Sequence, residues 1–240
     1  MHRFFALPES FRDERVLLDS SETRHLRDVL RLASGANVTV FDGCGGEYSC
    51  TVVEIKKNET ELLVISKQAP ASPESALKIT VAAAMLKGEK FDLVVQKAVE
   101  LGVIELVPLQ TARCDVKPRD ASKRVERWRR IALEASKQTG RASLMKVREP
   151  MEFNAYLTSQ ESSAHVILFS ERDGEKMPSN FDGNTLTAIV GPEGGWDDDE
   201  LRAARSANIT VVTLGGRILR AETAAIAITA VLQHRFGDLN

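Results

Sequence analysis

The sequence predicts an α/β protein in two domains: a small antiparallel β-barrel, then a larger domain with a mostly parallel sheet between helices. Three observations predict it. Short strand-like runs separated by turn residues fill the first 65 or so positions. A stretch with two prolines and no apolar periodicity, Gln68-Ala69-Pro70-Ala71-Ser72-Pro73-Glu74-Ser75, then breaks the pattern. Beyond it, apolar runs of strand length alternate with segments of helical period, the signature of a parallel sheet covered on both faces. The expected domains are 1–70 and 76–240.

In the first domain Val38-Thr39-Val40-Phe41 is followed by the turn Asp42-Gly43-Cys44-Gly45-Gly46. A second run, Tyr48 to Ile55, follows, then a break at Lys56-Lys57-Asn58-Glu59 and a third run from Glu61 to Ile65. This spacing and turn chemistry predict the antiparallel barrel. One helix is expected from Glu22 to Leu32, with Leu26, Val29 and Leu30 on one face.

In the second domain strands are expected at Leu77–Met85, Ile104–Leu109, His165–Phe169, Leu186–Val190 and Thr210–Leu214. Helices are expected at Lys90–Leu101 (ended by Gly102), Ala121–Thr139 (ended by Gly140), Asp198–Asn208 and Glu222–Phe236. The sequence shows no internal repeat.

The chain of 240 residues is 43% hydrophobic and 28% charged, ordinary for a soluble globular protein. No apolar run reaches the roughly 18–20 residues of a membrane span. Pro8 and Glu9 interrupt the start before a signal-peptide core could form. Cys44, Cys50 and Cys114 are odd in number and contain no CxxC, which argues for reduced thiols in a cytoplasmic protein. Net charge is only -2, yet residues 113–148 hold twelve Lys/Arg against four Asp/Glu, so that segment is +8 and the remainder -10. Such asymmetry either steers a nucleic acid onto one face or marks a solvated helix face.

Ligands of open α/β sheets bind beyond the carboxyl ends of the strands. Three loops leave expected strand ends there: Ser170-Glu171-Arg172, Gly191-Pro192-Glu193-Gly194-Gly195-Trp196, and Gly215-Gly216-Arg217-Ile218-Leu219-Arg220. Each alone reads as a tight turn, but three at successive strand ends point to a shared ligand site. No GxxxxGK[ST] and no GxGxxG opening a helix is present, so phosphate-cradling fingerprints are excluded. The histidines at 2, 25, 165 and 234 are scattered and no GxSxG occurs, so no metal is expected and no nucleophile elbow. Loops that offer backbone groups without a phosphate-binding lysine suit a neutral or zwitterionic nucleoside-type ligand.

Gly191-Pro192-Glu193-Gly194-Gly195-Trp196 with Glu200, and Leu214-Gly215-Gly216-Arg217-Ile218-Leu219-Arg220-Ala221-Glu222-Thr223-Ala224, resemble the SPOUT methyltransferase pattern. The match is to the bacterial 16S ribosomal RNA uracil-N3 methyltransferase family. Supporting segments run along the whole chain: Arg3-Phe4-Phe5, His25-Leu26, Val29-Leu30-Arg31-Leu32, Lys87-Gly88-Glu89-Lys90, Gln96 to Gly102, and Gln138-Thr139-Gly140-Arg141. The resemblance implies a PUA-like barrel that helps to hold RNA, and a methyltransferase domain closed by a C-terminal trefoil knot. It implies a homodimer, S-adenosylmethionine as cofactor, 16S rRNA of the small ribosomal subunit as partner, and neither membrane nor metal.

The same resemblance implies cofactor binding by Leu168, Phe169, Gly191, Pro192, Glu193, Gly194, Gly195, Leu214, Gly215, Ile218, Leu219 and Thr223. Transfer to uridine N3 requires loss of a proton, and a fixed guanidinium stabilises the developing anion, which designates Arg220 as the catalytic group. Glu222 either orients Arg220 or complements the dipole of the helix that starts there. Candidate RNA contacts are Arg3, Arg27, Arg31, Lys87, Lys90, Arg113 and Arg141. Two rival readings are a SPOUT enzyme with another RNA target and a non-catalytic RNA-binding or ribosome-assembly factor. The second leaves the three strand-end loops without a role.

Overall fold

A computed structural model describes residues 2–116, 121–160 and 165–239. Lys117, Arg119 and Asp120, counted in the basic segment above, lie outside the described residues. The chain divides into two units: Met1–Glu74 with Ser136–Leu144, and Ser75–Ala135 with Met145–Asn240.

The first unit contains β1 (Arg3–Phe5), β2 (Phe11–Arg12), β3 (Arg15–Leu18), α1 (Ser20–Arg24), β4 (Asn37–Phe41), β5 (Glu47–Ile55) and β6 (Thr60–Gln68). The six strands form one sheet in the order β1-β4-β5-β6-β3-β2. All neighbours are antiparallel except β1 and β4, which run parallel. The expected all-antiparallel barrel therefore needs correcting: the long stretch between β1 and β4 is a crossover, not a hairpin, and so permits a parallel pair. Alternating residues of five strands, including Phe4, Val16, Leu18, Val40, Cys50 and Leu62, fill one core with Leu26.

The expected Glu22–Leu32 helix is also different. Asp19 caps α1 by accepting from the amides of Ser21 and Glu22, both at 2.8 Å. His25–Val29 then forms a π-helical turn closed by the Leu30 amide donating to the His25 carbonyl at 3.0 Å. The wider turn breaks the 3.6-residue period, so Leu26 is fully buried whereas Val29 is 66% exposed.

Arg3 on β1 and Glu22 on α1 hold residues 136–144 to the rest of this unit. Arg3 bonds Glu47 at 2.7 Å and donates to the Ser136 and Arg141 carbonyls at 2.8 and 2.9 Å. Lys137 pairs with Glu22. Burial lifts the Glu22 carboxyl above its ordinary value, although the Lys137 hydrogen bond and charge oppose the shift. The folded chain thus binds this proton more tightly than the unfolded one. Its stabilising contribution is complete below the ordinary glutamate pKa and is lost as pH rises through the raised value. Urea midpoints measured from about pH 4 to about pH 7 should therefore fall less steeply for Glu22→Gln than for the wild type; parallel profiles would contradict this.

The second unit contains β7 (Lys78–Ala84), α2 (Lys90–Glu100), β8 (Glu105–Gln110), α3 (Ala121–Thr139, whose last turn belongs to the first unit), β9 (Lys146–Val147), β10 (Met151–Glu152) and α4 (Phe153–Thr158). β11 (Val166–Phe169), β12 (Thr185–Val190), α5 (Asp198–Ser206), β13 (Thr210–Val212) and α6 (Ala221–Phe236) complete it. The sheet order is β10-β8-β7-β12-β11-β13, with β9 beside β8, and every pair is parallel. The expected alternation of strands and helices is thus present, with boundaries shifted by one or two residues. The short elements β9, β10 and α4 had no expectation attached.

Side chains of successive strand residues pack on opposite faces. Ile79, Val81, Ala83, Leu186, Ala188, Val190, Ile167 and Phe169 meet the buried residues of α2, α3 and α6, whereas Ala82, Ile189 and Leu168 meet those of α4 and α5. On α2, Phe91, Val94, Val95, Ala98 and Val99 are buried at helical spacing. The indole of Trp128 on α3 packs on Phe91 with ring centroids 4.5 Å apart and donates to Asp92 at 3.1 Å. Gly102 and Gly140 end α2 and α3 with φ of 75° and 82°, where a side chain would be strained. No helix of the described residues is long and apolar enough to cross a membrane.

Candidate active site

The parallel order sends the loops after β11, β12 and β13 off the same edge of the sheet, and they meet the start of α6. Between them lies a cleft that opens to solvent. Its lining is mainly apolar: Phe169, Val190, Pro192, Trp196, Leu214, Leu219, Ala221, Ala224 and Ile228. The polar side chains in it are Ser170, Glu171 and Arg217. A second, open recess of about 310 Å³ is lined by Lys90, Pro192, Glu193, Ile218, Leu219, Arg220 and Ala221. Pro192, Leu219 and Ala221 belong to both, so the two hollows share a wall.

The loop after β12 is shaped by its neighbours. Trp196 is fully buried and its indole donates to the Phe169 carbonyl at 2.8 Å, tying this loop to the end of β11. A Cβ at Gly191 would lie 2.9 Å from that indole, so the ring needs glycine there. Gly195 has φ 69°, and a Cβ on it would lie 2.5 Å from a carboxylate oxygen of Glu171. Asp197 and Glu200 form a capping box on α5. The buried Glu200 also accepts from the Ala112 amide at 2.8 Å, which joins the end of β8 to the same loop. Arg113 completes that junction through the Gly194 carbonyl at 3.2 Å and Asp197 at 3.1 Å.

Among the expected cofactor residues, Phe169, Gly191, Pro192, Leu214 and Leu219 line the cleft, and Glu193 and Ile218 line the recess. Leu168 is fully buried, with its side chain on the α4–α5 face. Gly194, Gly195, Gly215 and Thr223 lie in the same loops and helix start but line neither hollow. Arg220 lies in the recess and not in the cleft. Its side chain is exposed, and its carbonyl accepts from the Ala224 amide at 2.7 Å as α6 begins. Glu222, in the first turn of α6, makes no ion pair with Arg220 among the described residues, and its Oε2 is buried without a hydrogen-bond partner. Lys90 and Glu193 face each other at 3.0 Å in the recess.

The expectations left out Ser170, Glu171, Val190, Trp196, Arg217, Ala221, Ala224 and Ile228. A signal existed for Ser170, Glu171, Trp196 and Arg217, since each stands in one of the three strand-end loops; α6 closing the cleft had none. Cys114 lines neither hollow, and burial raises its thiol, which disfavours a thiolate nucleophile. No group of three or more His, Cys, Asp and Glu among the described residues could hold a metal ion.

The other candidate cations differ in how their charge is used. Arg141 is buried and Arg3 partly buried, and both are in ion pairs, Arg3 with Glu47 and Arg141 with Glu74 at 2.6 Å. Arg27 pairs with Asp28 at 2.6 Å, and Lys87 with Asp115 at 2.7 Å, both at the surface. Arg31 is exposed with φ 52° and has no ion pair among the described residues. Arg127 and Arg129 on α3 are paired with Asp92 and Glu149, at 2.6 and 3.0 Å, so part of the +8 segment is neutralised within the fold.

Comparison with known proteins gives matches over nearly the whole chain. Residues 73–233 match the RNA methyltransferase domain family, and residues 18–65 match the RNA methyltransferase PUA domain family. The ribosomal RNA small subunit methyltransferase E of Synechocystis sp. is 31% identical over 230 residues, covering 93% of this chain and 74% of the relative. That of Bacillus subtilis is 30% identical over 226 residues, covering 89% and 88%. The crystal structure of ribosomal RNA small subunit methyltransferase E from Neisseria gonorrhoeae, bound to S-adenosylmethionine, superimposes with a TM-score of 0.91. It is 33% identical, and all of both chains is covered.

Proposed function

Because the chain belongs to the RNA methyltransferase family that includes the ribosomal RNA small subunit methyltransferase E proteins, we propose that it transfers a methyl group from S-adenosylmethionine to N3 of one uridine in 16S rRNA. The observation that carries this reading is the pair of hollows with a common wall: a largely apolar cleft at the strand ends, and beside it a recess that holds Arg220.

The cleft fits the cofactor. Phe169, Pro192, Leu214 and Leu219 offer apolar surface for an adenine ring, and the glycine-containing turns at 191–195 and 214–216 let backbone groups approach its polar edges. Leu168, Glu193, Gly194, Gly195, Gly215, Ile218 and Thr223 contribute through the backbone or as the outer wall. When bound, the cofactor supplies an electrophilic methyl group carried on a sulfonium. The protein's part is then to hold the target nitrogen in line with it, and positioning of this kind supplies much of the rate.

Uridine N3 keeps its proton near neutral pH, and a gap of roughly two pKa units costs about 3 kcal/mol without assistance. Arg220 in the recess donates to the developing uridine anion and stays charged throughout. Glu222, which makes no ion pair with that guanidinium among the described residues, complements the dipole of α6.

Residues 76–240 act as the methyltransferase domain, with the segment after β13 threaded as a trefoil knot, and residues 1–70 as the PUA-like domain that holds RNA. Arg27, Arg31, Lys87, Lys90 and Arg113 reach RNA phosphates, while Arg3 and Arg141 secure residues 136–144 from within. The protein works as a homodimer, as the family resemblance implies. The small ribosomal subunit as substrate implies work in the cytoplasm.

Incubation with methyl-labelled cofactor and small ribosomal subunits, transfer RNA or naked ribosomal RNA tests the proposal. Label is expected in the 16S RNA of the subunits, at a level that falls with added salt as phosphate contacts weaken. Label in transfer RNA alone, or in none of them, would overturn it.

A further inference from the structure

Two charged side chains in the cleft have no part in the reading above. Glu171 follows the end of β11 and Arg217 stands in the loop after β13, so they enter the cleft from different loops. Apart from Ser170, the other side chains of the lining are apolar.

Neither charge is used up by the fold. The cation nearest Glu171 is Arg172, at 3.8 Å, beyond a good hydrogen bond. That guanidinium is engaged elsewhere, with Asp198 at 2.7 Å and the Trp196 carbonyl at 3.1 Å. Gly195 lies directly against the Glu171 carboxylate, and a Cβ there would force the carboxylate to shift. Arg217 is exposed and has no ion pair among the described residues.

A cleft with one weakly paired anion and one exposed cation on separate loops complements a zwitterion better than it does either charge alone. On the reading given under Proposed function, which this assignment rests on, the ligand carries one: the α-amino acid end of its methionyl part. We infer that Glu171 accepts hydrogen bonds from the α-ammonium group and that Arg217 donates to the α-carboxylate of the bound cofactor. The apolar wall then holds the adenosine, and the two charges select ligands that retain the amino acid.

Calorimetric titration of the full chain with S-adenosylhomocysteine and with 5′-methylthioadenosine separates these parts, because the second ligand has the adenosine but no amino acid. The wild type is expected to bind the first more tightly. Glu171→Gln and Arg217→Gln should each weaken S-adenosylhomocysteine roughly 10- to 100-fold, as for a lost charge-assisted bond. Each should leave 5′-methylthioadenosine within about twofold of the wild type, which also shows that the variants are folded. Equal weakening of both ligands would place Glu171 on the ribose or Arg217 on the base and overturn the assignment. So would variants indistinguishable from the wild type, while the methyltransferase reading would stand in both cases. A wild type that binds neither nucleoside would overturn the reading and the assignment together.

Discussion

Replacing Arg220 with alanine is expected to lower single-turnover methyl transfer about 100- to 1,000-fold, the range for loss of one preorganised donor to a developing anion. Affinity for the cofactor should stay within about twofold. The two effects separate because Arg220 lines the open recess and the apolar cleft does not include it. Stability should hardly change: the side chain is exposed and makes no capping bond, and the carbonyl that accepts from Ala224 remains after substitution. Arg220→Lys should recover only part of the rate, since an ammonium keeps the charge but lacks the planar fork of donors. Lost cofactor affinity with intact single-turnover chemistry would remove Arg220 from the role given to it.

Trp196→Ala should have the largest effect on stability, about 3–5 kcal/mol from the lost packing alone. The ring is fully buried, packs against Phe153 with centroids 4.9 Å apart, and lies against the Gly191 backbone. Its indole also satisfies the Phe169 carbonyl, which the substitution would leave without this donor. For a chain of this size the melting temperature should fall on the order of 10 °C. Cofactor affinity should fall with it, because the indole sets the distance between two cleft-forming loops. Trp196→Phe keeps most of the packing, removes the donor, and should cost about 1–3 kcal/mol. A melting curve for Trp196→Ala that overlays the wild type would show that the loop is held by other contacts.

What the sequence could show depended on whether the determining interactions were local. The strands and helices of the second unit follow apolar periods, and Gly102 and Gly140 end their helices through backbone geometry that glycine alone adopts without strain. Strand-end loops with unusual composition pointed to the cleft, and Phe169, Gly191, Pro192, Leu214 and Leu219 do line it. The π-helical turn at His25–Val29 was not legible, because one extra residue in a turn leaves no compositional mark, and Val29 consequently faces solvent. Nor does composition reveal that Arg3 and Arg141 are enclosed: their partners Glu47 and Glu74 are distant in sequence, and a lone arginine reads as a surface cation. Ala224 and Ile228 reach the cleft only because α6 is brought back across the strand ends. The strands β9 and β10 are two residues long, too short for any period to register.

The central claim is chemical: the methyl group goes to N3 of a uridine in 16S rRNA. Its most direct test is mass-spectrometric analysis of nucleosides from 16S rRNA after reaction of small ribosomal subunits with the purified protein and a deuterated-methyl cofactor. The account predicts that the label appears as N3-methyluridine at a single position, and that it is absent when Arg220→Ala replaces the wild type over the same interval. Label recovered in a methylcytidine, in 5-methyluridine or on a ribose oxygen would contradict it.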